Sequence, residues 1–120
     1  MNRWVLLEHK ILVSTVVDLH YDFLVEYHKD CLTWKLYEIP IINGDIVAIR
    51  KQPNHRLVWL SRVEYQLSNN RGLVTRIDHG SFTNIFHKLD SPELKLQLKG
   101  KLLNGLLKIA GNSCQLTQEN

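Results

Sequence analysis

Leu94-Lys95-Leu96-Gln97-Leu98-Lys99 alternates apolar and polar residues without a break. By composition the surrounding Pro92–Gly100 could pass for a helix. A period of two, however, puts Leu94, Leu96 and Leu98 on one face and Lys95 and Lys99 on the other, the pattern of a half-buried strand. Gly100-Lys101 supplies a turn and Leu102–Ile109 returns, completing a hairpin. Working outward, the same period governs Leu19–Glu26 and Leu73–Asp78, while Arg3–Leu7, Cys31–Tyr37 and Asp45–Lys51 are compact strand candidates. Tyr27–Asp30, Asn43-Gly44, Asn69–Gly72 and His79-Gly80 are turn signals between them. Turns at roughly 8–12-residue spacing predict an all-β domain, a small closed or nearly closed β-barrel of about seven to nine strands with little helix.

The chain has 120 residues, 44% hydrophobic and 22% charged, which fits one ordinary soluble core. The longest apolar candidate, Ile11–Val17, is interrupted by Ser14 and Thr15 and is far shorter than a bilayer span. The N-terminus lacks an export pattern, and Cys31 and Cys114 are too few for a disulfide framework and too far apart for a zinc motif. A cytoplasmic monomer with reduced thiols, away from any membrane, is the expectation. The polar stretch after Gly111 is expected to fray, so the barrel is placed at 3–110 and a flexible tail at 111–120. A net charge of +3 permits a polyanionic partner without requiring one.

His20 and Asp22, two apart on a strand, leave the same face, with Tyr21 and Phe23 on the other. Imidazole nitrogen plus carboxylate oxygen suits a divalent cation, and His9 is the best third donor. The plainer alternative is a solvated hydrogen-bonded pair on the outside of a sheet. His55, in the loop-like Pro53-Asn54-His55-Arg56-Leu57, carries an imidazole that can donate a proton or contact a phosphate oxygen, or else it caps local backbone. Arg71 and Arg76 offer guanidinium forks that match phosphate, or form part of a solvated basic face. His28, His79 and His87 are given no role. No Gly-rich phosphate loop, nucleophile elbow or cysteine nucleophile context is present.

Leu19-His20-Tyr21-Asp22-Phe23-Leu24-Val25-Glu26 resembles the motif strand of the 3′-phosphoesterase domain of bacterial DNA ligase D. The likeness continues through Thr33-Trp34, where that family has Ser-Trp, and through His55-Arg56-Leu57-Val58-Trp59, where it has a histidine followed four residues later by tyrosine. It runs on through Gly72-Leu73-Val74 and Asp78-His79-Gly80 to Leu96–Gly105, covering residues 3–110. The resemblance implies a small β-barrel with a manganese site (zinc being possible), acting on 3′ ends of nucleic acid in DNA repair. It also implies His9, His20 and Asp22 as metal ligands, His55 as the catalytic or phosphate-contacting histidine, and Thr33, with its hydroxyl, in place of the family's phosphate-site serine. Two positions depart from the pattern: the family's arginine is Leu24 and its tyrosine is Trp59. Three readings stay open: a metal-dependent phosphoesterase working on DNA or DNA–RNA 3′ ends; a barrel that binds nucleic acid or a protein partner such as a ligase without turnover; and a structural partner-binding barrel with no metal, favoured if His9 lies away from His20.

Overall fold

The computed structural model describes residues 2–13, 15–85 and 88–118. His87, and the last two residues of the expected tail, lie outside them. Nine strands run in chain order: β1 (Arg3–Val13), β2 (Val16–Tyr27), β3 (Asp30–Leu36), β4 (Val47–Arg56), β5 (Glu64–Gln66), β6 (Leu73–Asn84), β7 (Glu93–Lys99), β8 (Gly105–Ala110) and β9 (Ser113–Thr117). The sheet order is β1-β2-β3-β4-β9-β8-β7-β6-β5, and an added β1–β6 pairing closes eight strands into a ring with β5 on the outer edge of β6. The one helical element among the described residues is a 3₁₀ turn, Leu57–Leu60. None of these helices is long and apolar enough to cross a membrane. The barrel expectation therefore holds.

Alternation sorts the strands into two sides. Trp4, Leu6, Phe23, Val25, Leu32, Trp34, Leu94, Leu96, Leu98, Leu107 and Leu116 fill the barrel interior. Lys95 and Lys99 lie on the opposite side of β7 from its three buried leucines, as the period requires. The other side of β1 and β2 is apolar for part of its length too. Val5, Leu7 and Leu24 pack with Cys31, Val74 and Leu60 beneath the 3₁₀ turn, forming a second, smaller core. The segment between β4 and β6 thus roofs one patch of the barrel's outer surface.

Two sequence expectations are corrected. The tail is not frayed over 113–117: β9 pairs along β8 and joins β4 at Val47–Cys114 and Ala48–Ser113, so it completes the ring. Its period-two Cys114 and Leu116 are buried, which outweighs its polar composition. His79-Gly80 is no turn either, because β6 runs on to Asn84. A Cβ at Gly80 would run into the Lys99 carbonyl, so the glycine serves close strand approach rather than chain reversal.

Asp78 explains the neighbouring motif. Its buried carboxylate accepts the backbone N–H groups of His79 (2.9 Å), Lys101 (3.1 Å), Leu102 (2.8 Å) and Leu103 (2.9 Å), fixing the β7–β8 turn. These bonds hold its pKa below the ordinary carboxylate value against the opposing effect of burial. A side chain at Gly100 would strike the Trp4 ring and that carboxylate. The Asp78-His79-Gly80 and Leu98-to-Gly105 landmarks are therefore bound up with closing the barrel.

Candidate metal centre

β1 and β2 pair antiparallel with His9 opposite His20 and Leu7 opposite Asp22. The Asp22, Leu24, Leu7 and His9 side chains share the outer face, so the second core ends in a polar cluster. The His9 and His20 rings meet edge to face with centroids 4.8 Å apart. Asp22 Oδ1 lies 3.4 Å from His20 Nε2, and Asp22 Oδ2 lies 4.0 Å from His9 Nδ1. One donor atom from each of the three residues lies within 4.8 Å of the others. Donors 2.0–2.2 Å from a shared ion sit at most about 4.4 Å apart, so a slight side-chain closure completes the set.

The hydrogen bonds fit this role. His9 Nε2 lies 2.8 Å from the Arg71 carbonyl, which can only accept, so Nε2 carries the proton and Nδ1 presents its lone pair toward Asp22. A backbone carbonyl on the far nitrogen in this way orients an imidazole that could ligate through the other. His20 Nδ1 is buried without a partner, and no N–H or O–H among the described residues donates to Asp22. A carboxylate between two imidazoles, with one buried ring nitrogen left without a partner, is a donor set that could hold a divalent cation. Two imidazoles and a carboxylate suit manganese or zinc alike.

His55 joins this cluster. A bulge in the β3–β4 ladder takes up an extra residue around Pro53 and sets His55 opposite Cys31, so His55 belongs to a strand rather than a loop. Its Nδ1 donates to the Pro53 carbonyl at 3.1 Å, leaving Nε2 as the exchangeable nitrogen. His55 lines a cleft of about 60 Å³ with Leu7, His9, Asp22, Trp59, Leu67 and Val74.

The remaining residues are placed differently. Thr33 is fully buried and donates its hydroxyl to the Cys31 carbonyl at 3.2 Å, so it cannot contact a phosphate from outside. Arg71 touches the cluster through its carbonyl, while its guanidinium folds back on Ser68 at 3.1 Å. Arg76 pairs with Leu7 and does not line the cleft. Leu24, at the family's arginine position, is completely buried in the second core. Trp59, at the resembled family's tyrosine position, lines the site; what the sequence did not signal is Leu67 and the Arg71 carbonyl, which reach it from a segment with no motif of its own. Searches of protein-family models and of curated proteins return no match to the chain.

Proposed function

We propose that this barrel is a divalent-metal-dependent phosphoesterase-like domain that engages the 3′ end of a nucleic acid. The observation that carries the reading is the convergence of His9, His20 and Asp22, contributed by two paired strands, beside a cleft that also receives His55. The residues fit manganese or zinc, and the chemistry such an ion supplies is polarisation of a phosphoryl oxygen and activation of a water. His9 and His20 hold their rings edge to face, and the Arg71 carbonyl fixes the His9 tautomer. Asp22 places its carboxyl oxygens between the two rings. His55, anchored through Nδ1, keeps Nε2 for a phosphate oxygen or for protonating a leaving oxygen.

A second reading rests on Leu24 and Thr33. With an aliphatic group buried at one position and the hydroxyl turned inward at the other, the cleft lacks two groups that the resemblance would place on the phosphate. A barrel that binds ends, alone or alongside a partner such as a ligase, without turning them over fits that loss. Incubating the protein with manganese and an oligonucleotide ending in a 3′-phosphate or 3′-ribonucleotide separates the two. Release of the terminal group that disappears in His20→Ala supports the phosphoesterase; binding without release supports the second reading; neither binding nor release contradicts both.

A further inference from the structure

Arg62 lies where the roof segment leaves the 3₁₀ turn for β5. Its guanidinium carbon sits 4.4 Å from the Trp59 ring centroid and 3.8 Å from the Tyr65 centroid. The two rings meet at 86° with centroids 5.4 Å apart, so the arginine nests in an aromatic corner. Cation–π contact of this kind holds a guanidinium against the rings without using its N–H groups as hydrogen-bond donors. Among the described residues no carboxylate or carbonyl accepts from that edge. The corner is also anchored: the Arg76 N–H donates to the Val63 carbonyl at 2.8 Å, and the Ser61 N–H to the Val58 carbonyl at 3.1 Å. Trp59 lines the metal cleft, and so connects the corner to the candidate centre.

We infer that Arg62 is the phosphate-contacting guanidinium of this site. The inference deepens the proposed function and rests on it. Leu24 is buried and uncharged, and Arg71 is folded onto Ser68. Arg76 pairs with Leu7 across the β1–β6 ladder, but no ring contact or hydrogen bond fixes its guanidinium among the described residues. Arg62 does not itself line the cleft, but its guanidinium is held against Trp59, which does, and no hydrogen bond within the described residues engages its donors. Its ligand is a terminal phosphate monoester, whose oxygens match the planar fork.

The test compares two oligonucleotides of one sequence, one ending in a non-hydrolysable 3′-phosphonate and the other in a 3′-hydroxyl, by fluorescence anisotropy in manganese. The wild-type protein is expected to prefer the phosphonate end. Arg62→Gln should reduce that preference by about tenfold, the size of one lost charged hydrogen bond. Arg62→Lys should restore part of it. Lys108→Gln, which removes an equal charge from an exposed position of β8, should leave it intact. The urea midpoint of Arg62→Gln and its manganese affinity should match wild type. If wild type prefers the phosphonate and Arg62→Gln prefers it equally, the role of Arg62 is overturned and the proposed function stands. If wild type does not distinguish the two ends, the proposed function falls and the Arg62 role falls with it.

Discussion

Asp22 and Asp78 sit on the two strands that flank β1, and both are buried. They differ in what faces them. Asp78 collects four backbone N–H groups and stitches a turn to the sheet. Asp22 receives none and looks onto two imidazoles. A buried carboxylate saturated by main-chain donors is committed to the fold, because every lone pair that could bind something else is engaged. One left with histidine neighbours keeps its charge for a ligand. The same residue type at similar burial thus takes its role from its donors.

The largest effect should come from breaking the saturated member. Asp78→Ala strands four N–H donors, and a loss of about 3–5 kcal/mol in unfolding free energy is expected, read as a lower urea midpoint. Asp22→Asn keeps the shape and relieves an unsolvated charge, so without metal it should change stability by less than about 1 kcal/mol. Equal losses would erase the distinction between the two. Leu24→Arg comes next. It forces a cation into the second core and should cost about 3 kcal/mol with no gain in phosphate binding. A stable Leu24→Arg with raised activity would instead mean that the roof opens.

A third effect sharpens the Asp22 side. Manganese at a hundredfold excess over its dissociation constant should stabilise wild type by about 2.7 kcal/mol in urea melts, and neither Asp22→Asn nor His20→Ala. The smallest lies in acid. Glu26 takes both the Nε and a terminal nitrogen of Arg3, which holds its pKa at about 2. A carboxyl whose pKa falls on folding adds stability above its unfolded value, lost as pH drops through the folded one. Glu26 therefore contributes fully near neutrality and loses its contribution as pH falls from the ordinary carboxylate range toward about 2. Since half of the Arg3 side chain is exposed, Glu26→Gln should flatten the acid limb by no more than about 1 kcal/mol. Asp78, also lowered, steepens the same limb, so the acid slope should persist in Glu26→Gln.

How much of this was legible follows from where periodicity governs. Leu94–Lys99 buries one face, so alternation alone fixed its sidedness; Leu19–Glu26 is buried on both faces at Asp22–Val25, yet its period still puts His20 and Asp22 on a shared face. His9 was harder, because its register against His20 depends on a hairpin whose length the sequence does not spell out. Bulges were invisible. The extra residue on β6, Ile77, which sits between the partners of Leu6 and Leu7 on the β1–β6 ladder, turns Val74 and Arg76 toward the second core's side and Asp78 inward, although a strict period would align all three. The bulge near Pro53 likewise carries His55 into the cleft from what reads as a loop. Thr33 looked available only because a hydroxyl's direction is a tertiary property. Ser113–Thr117 looked frayed because its inward residues are just Cys114 and Leu116.

The central claim is that Asp22, unlike Asp78, is a ligand. Titrating manganese into isotope-labelled protein while following amide and imidazole NMR signals tests it most directly. The account predicts saturable paramagnetic broadening that reaches His9, His20 and Asp22 first, then His55 and Trp59, and leaves the Asp78 turn at 100–103 until last. Broadening that begins at exposed acidic residues such as Asp30, or that never saturates, would contradict it.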